Sequence, residues 1–204
     1  MKEFTSGDIR NFAIVGHGAS GKTMLCEAML SCAGEINRMG SIEDKNTVSD
    51  YHHDEHERQI SIHSSPLHLE WMNKKFNIID TPGYLDFIGE AISSLAVVDM
   101  AVVLLHSVNG IEVGTEQVWS FASKNNIPKV LVINGLDREH TKFDDILKQA
   151  KDHFGKNVLN TIIPRNVSLA EAPSYGSSII SYDKASKGSM SYLALAGELV
   201  RTSK

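Results

Sequence analysis

The chain has 204 residues, 42% of them apolar and 22% charged, with a formal charge of -5 at pH 7. That supports one sizeable core and would be cramped for two, so a single domain over residues 1–204 is expected. The negative balance removes the bulk attraction that nucleic acid or an acidic membrane surface exploits, and no strong nucleic-acid signal remains.

From the amino terminus, Met1 to Arg10 is mixed polar and charged and lacks the apolar stretch of an export signal. Phe12 to Val15 reads as a strand, and Met24, Leu25, Ala28, Met29 and Cys32 then recur at helical spacing. Cys26 and Cys32 fall on different faces of that helix and cannot bridge each other; reduced thiols point to the cytoplasm. From Ser41 to Glu70 apolar periodicity fails, and a mobile surface segment is expected. His52, His53 and His56 in this segment fit no helical pair of metal ligands and read as a solvated face.

Further strands are expected at Phe76 to Asp80, Met100 to Leu105, Val130 to Asn134, Thr161 to Ile163 and Ser178 to Tyr182. The longest greasy region, Ala91 to Leu105, is interrupted by Ser93, Ser94 and Asp99 and is shorter than the roughly 20 residues that cross a bilayer, so no membrane span is expected. Helical stripes recur at Phe143, Ile146, Leu147, Ala150 and Phe154, and again at Met190, Leu193, Ala196 and Val200. Nearly continuous Val, Ile and Leu strands alternating with helices predict an α/β three-layer sandwich with a mostly parallel sheet and helices on both faces, and the run Gly16-His17-Gly18-Ala19-Ser20-Gly21-Lys22-Thr23 makes it of the P-loop NTPase kind.

Gly16-His17-Gly18-Ala19-Ser20-Gly21-Lys22-Thr23 fits G-x-x-x-x-G-K-[ST] between the first strand and the first helix. Glycines let the backbone curl until successive N–H groups converge on phosphate oxygens, and the helix amino terminus adds partial positive charge. Lys22 is expected to reach the β- and γ-phosphates, and the Thr23 hydroxyl to bind magnesium. Asp80, at the end of the apolar run Ile78-Ile79, is placed to hold the same ion through water, with Ser61 as a further hydroxyl ligand. Gly83 can offer its N–H to a γ-phosphate because no side chain blocks the approach. Asn134-Gly135-Leu136-Asp137 ends another strand, and the Asp137 carboxylate can accept two hydrogen bonds from guanine N1–H and its 2-amino group; adenine offers neither.

Taken in order, Asp8-Ile9-Arg10-Asn11, the phosphate loop, Arg58-Gln59-Ile60-Ser61-Ile62, Asp80-Thr81-Pro82-Gly83-Tyr84-Leu85-Asp86-Phe87 and Asn134-Gly135-Leu136-Asp137 resemble the G domain of elongation factor G-type translational GTPases over residues 8 to about 156. The resemblance implies binding of GTP and GDP with magnesium, hydrolysis by a site containing Lys22, Gly83 and Tyr84, and the ribosome as partner. Three positions depart from the pattern. Tyr84 stands where the family commonly has the histidine that orients the attacking water, and a phenol is a poor base at pH 7, so slow hydrolysis or an idle site is implied. Gly135 replaces a lysine that covers the base, and Ser61 replaces a threonine while keeping its hydroxyl.

The tail, from Thr161-Ile162-Ile163-Pro164-Arg165-Asn166 to Ser174-Tyr175-Gly176, with Ser181-Tyr182-Asp183 and Ser186-Lys187-Gly188, resembles the carboxyl end of ParA/Soj partitioning ATPases. It implies a hybrid in which residues 157–204 add a strand and a terminal helix to the sheet, with Pro164 and Arg165 near the base. Those ATPases carry a lysine where His17 stands here, which argues against an ATPase acting with DNA.

Overall fold

The computed structural model describes residues 3–136, 139, 141, 143–155, 158–164, 166–175 and 177–202. They fall into two compact units, Met1–Gln149 and Ala150–Lys204. The regular elements are β1 (Ile9–Gly16), α1 (Lys22–Ala33), α2 (His53–Arg58), β2 (Ser65–Trp71), β3 (Lys74–Asp80), α3 (Ile88–Leu95), β4 (Met100–His106), α4 (Val113–Lys124), β5 (Lys129–Asn134), α5 (Phe143–Phe154), α6 (Val167–Glu171), α7 (Ile179–Tyr182) and α8 (Lys187–Thr202).

In the first unit five strands form one sheet in the order β2-β3-β1-β4-β5. β1 pairs in parallel with β3 and β4, β4 with β5, and only the edge strand β2 runs antiparallel to β3. Alternation along β1 builds the two faces. Phe12 and Ile14 pack with Ile78, Val102 and Leu104 against Cys26 and Leu30 of α1. Ala13 and Val15 pack with Ala101 and Val103 against Ala91 and Leu95 of α3 and Val118 of α4. The expected three-layer α/β sandwich is therefore formed, and its parallel strands deliver their carboxyl ends to one edge, where ligands bind in such folds.

The inward stripe of α1 differs from the one expected. Cys26 and Leu30 are buried, with Leu25, Met29 and Ala33 flanking them, whereas Cys32 is exposed. Both thiols are free. Burial pushes the Cys26 thiol well above its ordinary range. An alkylating reagent at pH 8 is therefore expected to label Cys32 and spare Cys26 in the folded chain; mass spectrometry of the digested product reads this directly.

Residues 41–70 hold defined structure where a mobile segment was expected. β2 alternates, with Ser65, Leu67 and Leu69 inward and Pro66, His68 and Glu70 outward. The rest is organised by buried carboxylates, which leave no apolar periodicity to read. Glu27 of α1, 1% exposed, accepts from Gly40 N–H at 2.7 Å and Val48 N–H at 2.6 Å. Glu55 of α2, equally buried, accepts from Ile62 N–H at 2.9 Å, His63 N–H at 3.0 Å and His52 N–H at 3.2 Å.

In the second unit the two strands expected at Thr161 to Ile163 and Ser178 to Tyr182 are not formed. The N–H groups of Asn160 and Thr161 bond to the Glu198 carboxylate of α8, at 2.6 and 2.7 Å, instead of to a neighbouring strand. These donors, Asn160 N–H foremost, hold that carboxyl down at about 2. Ser178 caps α7 by accepting from Ser181 N–H, which starts a helical turn at the position read as extended. The expected terminal helix is present as α8, but Met190, Leu193 and Ala196 of its stripe are exposed. Among its described side chains Gly188 and Ser189 are buried, and a Cβ at Gly188 would lie 2.5 Å from Leu169 Cγ, so a small residue lets α8 approach α6.

Candidate functional site

The loop between β1 and α1 has the conformation its glycines predict. Gly16 has φ 146°, Ala19 58° and Gly21 92°, values that curl the chain into the amino terminus of α1. A Cβ at Gly16 would lie 2.5 Å from the Leu104 carbonyl oxygen, so β4 supports the loop from beneath. Asn134, at the end of β5, donates from Nδ2 to the Ser20 carbonyl at 3.0 Å and ties the loop to the next strand but one.

Lys22 turns back over the loop. Its Nζ donates to the carbonyls of Gly16 at 3.1 Å and His17 at 2.9 Å. Burial of the ammonium lowers its pKa to about 8, against the opposing pull of the Asp80 carboxylate, so it remains a cation at pH 7. Gly83 lies directly against this group. A Cβ there would stand 2.2 Å from Lys22 Nζ and 2.7 Å from Gly18 N. The Tyr84 ring covers Gly18, whose added Cβ would be 3.2 Å from ring carbons, and remains partly exposed. His17 faces α4, with Nε2 3.6 Å from Glu112 Oε1.

Below Lys22 is a polar cluster in which Thr23, Ser49, Asp50 and Asp80 are buried and Ser61 is half-buried. Thr23 Oγ1 donates to Asp80 Oδ2 at 2.8 Å and is 3.2 Å from Ser61 Oγ; Ser49 Oγ also donates to Asp80 Oδ2, at 2.8 Å. Asp80 Oδ1 and Asp50 Oδ2 are buried without a hydrogen-bond partner. Burial raises the Asp80 carboxyl above its ordinary value and lifts that of Asp50 from 3.8 to about 6. Three hydroxyls and two under-satisfied carboxylates form a hard-oxygen set suited to magnesium, which fits a divalent cation better than it fits a dry core. The structure thus brings together the three expected ligands Thr23, Ser61 and Asp80, and adds Asp50 and Ser49. Those two lie in a polar run without periodicity, where the sequence offers no signal beyond the presence of an acid.

A cavity of about 330 Å³ opens over these groups, lined among others by Gly18, Lys22, Thr23, Ser61, Gly83 and Tyr84. Asp137 and Arg165 lie outside the described residues. Pro164 belongs to the second unit, and Asn134, through its bond to Ser20, is brought to the phosphate loop.

In the ligand-free chain these buried carboxyls couple stability to pH with the sign opposite to that of a paired carboxylate. A carboxyl whose folded pKa is raised stabilises the fold below its unfolded value and loses that contribution as pH rises from 3.8 through about 6. Asp50→Asn is therefore expected to raise the melting temperature of the ligand-free chain at pH 7.5 and to flatten its dependence between pH 4 and 6. Calorimetry across that range checks both.

The sheet, the loop and this cluster define a P-loop GTPase fold. Residues 7–196 match the model of the elongation factor Tu GTP binding domain, and the chain belongs to that family. The match takes in the tail, so the elongation-factor resemblance continues past residue 156, where it was expected to stop. The mitochondrial ribosome-releasing factor 2 of Candida dubliniensis is 43% identical over 155 residues, which are 76% of this chain and 19% of that protein. The protein of the same name from Drosophila grimshawi is 40% identical over 164 residues, 80% of this chain and 22% of that one. A crystal structure from Thermus thermophilus superposes with a TM-score of 0.71 at 31% identity over 74% of this chain and 23% of its own. The chain thus spans about a fifth of the length of the curated relatives it matches. Among the described residues no helix is long and apolar enough to cross a membrane.

Proposed function

We propose that this chain binds GTP and GDP with magnesium and hydrolyses GTP slowly, as the nucleotide-binding domain of a ribosome-associated translational GTPase. The observation that carries the reading is the cluster of Thr23, Ser61, Asp80 and Asp50, with two unpartnered carboxylate oxygens directly below the phosphate loop. Magnesium held by Thr23 and Ser61, with Asp80 and Asp50 behind it, would neutralise phosphate charge. The loop amides from Gly16 to Thr23 bind phosphate oxygens, and Lys22 exchanges its two loop carbonyls for the β- and γ-phosphates. Gly83 N–H donates to the γ-phosphate, so only the triphosphate holds it in place. Tyr84 orients water without serving as a base. Asp137, with Asn134 bracing the loop, reads guanine.

The ribosome as partner is supported by the names of the relatives, and residues 1–204 as one domain by a family match over residues 7–196. The cytoplasm is proposed from the two free thiols. The resemblance of the tail to partitioning ATPases, and with it any role of Pro164 and Arg165 at the base, rests on the tail's residues alone.

Phosphate release from GTP, with and without magnesium and with and without ribosomes, tests the reading. Magnesium-dependent turnover that ribosomes accelerate is expected. A second reading, a nucleotide-binding module that does not turn over, is favoured by the Tyr84 ring lying on Gly18 and predicts nucleotide binding with no phosphate release under either condition.

A further inference from the structure

Outside the nucleotide site, His52, Asp54 and His63 present one ligand atom each, all within 4.8 Å of one another. His63 Nε2 is 3.7 Å from Asp54 Oδ2, and the His52 and His63 rings are 4.4 Å apart between centroids. The three come from two places in the chain: His52 and Asp54 from the start of α2, and His63 from the segment that follows Ser61. They meet because one carboxylate draws both backbones in. Glu55, buried at 1% exposure, accepts from the N–H groups of His52 and of His63. His52 also caps α2, its side chain accepting from the Glu55 N–H, so one nitrogen of that ring remains for a ligand beside His63 Nε2 and Asp54 Oδ2.

The neighbouring histidines do not share in this arrangement. His56 Nε2 is 2.7 Å from the Asp50 carbonyl, and the His53 side chain is 87% exposed, beside Glu57. The sequence reading of a solvated face therefore holds for His53. His52 is half-buried, its ring against those of Tyr51 and His63, and His63 lies outside the helix on which the spacing was read.

We propose that His52, Asp54 and His63 form a site for a divalent transition-metal ion of the zinc type, with water completing the shell. Two imidazoles and a carboxylate are ligands that zinc accepts, and bonds of about 2.0–2.1 Å in tetrahedral geometry separate ligand atoms by about 3.4 Å. Rotation of half-exposed side chains closes the remaining gap, since the His63 and Asp54 side chains are 46% and 49% exposed. Magnesium prefers hard oxygen ligands and does not compete well for the imidazoles. A bound ion would cross-link the segment carrying Ser61 to α2 and hold Ser61 opposite Thr23. The metal site itself is independent of what the nucleotide pocket binds.

The test is calorimetric titration of the 204-residue chain with Zn2+ in excess Mg2+, together with the absorption spectrum of the Co2+ form. One zinc equivalent is expected, with a tetrahedral cobalt spectrum. Loss of one ligand costs at least the ~10-fold that loss of a supporting group costs, so His63→Ala and Asp54→Asn should each weaken zinc by ~10-fold or more, while His53→Ala leaves it unchanged. Zinc should also slow hydrogen exchange at residues 60–65 in the parent chain and not in the His63→Ala variant. Zinc binding that survives both ligand substitutions, or no stoichiometric binding by the parent chain, overturns the proposal.

Discussion

Lys22→Ala is expected to lower the affinity for GTP and GDP by ~100-fold or more, because a hydrogen bond to a charged group contributes about 1.5–3 kcal/mol and Lys22 is expected to reach two phosphates. The structure explains why no other position compensates easily. Nζ is buried, bonded to two carbonyls of the loop that it serves, and still protonated at neutral pH with its pKa lowered to about 8. Lys22→Arg should not rescue, since the wall facing Nζ is the Gly83 backbone, where even an added Cβ would stand 2.2 Å away. Isothermal titration with both nucleotides, alongside circular dichroism to show that the sheet persists, checks the result. An affinity unchanged in a folded Lys22→Ala chain would contradict the phosphate-loop assignment.

The second large effect falls on Gly83→Ala. A methyl group at this position meets Lys22 Nζ at 2.2 Å and Gly18 N and His17 C at 2.7 Å. The lysine end can move, but the loop backbone is fixed between β1 and α1 and cannot give way cheaply. The peptide of residue 83 must retreat, which would take away the N–H proposed to hold the γ-phosphate. Removing one preorganised donor from a developing negative charge costs about 10²- to 10³-fold in rate, so GTP turnover should fall by ~100-fold. GDP, which lacks the γ-phosphate, should lose far less. Turnover and GDP titration on one preparation separate the two effects: equal losses in both would mean that the substitution disturbs the loop itself and not the γ-phosphate contact.

What the sequence disclosed, and what it hid, follows from which forces organise each segment. The strands of the parallel sheet are runs rich in Val, Ile and Leu, continuously buried from Phe12 to Gly16 in β1 and nearly so along β4, so their places along the chain were legible. The phosphate loop was legible because its positive-φ residues and the lysine have few substitutes. By contrast β2 is an edge strand with Leu67 and Leu69 as its inward apolar residues, and the stretch before it is held by Glu27 and Glu55 gathering main-chain N–H groups. Carboxylate-centred order has no period, which is why a mobile segment was expected there. Asp50 was invisible for the same reason. In the tail, β-branched Thr161-Ile162-Ile163 looked like a strand, yet the N–H groups of Asn160 and Thr161 go to the Glu198 side chain, 37 residues beyond Thr161. A cap at Ser178 likewise starts α7, Ile179–Tyr182, where a strand was expected.

The central claim is that this pocket holds a guanine nucleotide by its phosphates and reads its base with Asp137. Titration of the chain with fluorescently labelled GDP and ADP in magnesium tests it most directly. Saturable GDP binding, with ADP weaker by orders of magnitude, is the predicted result; equal affinity for the two, or a preference for ADP, would contradict it.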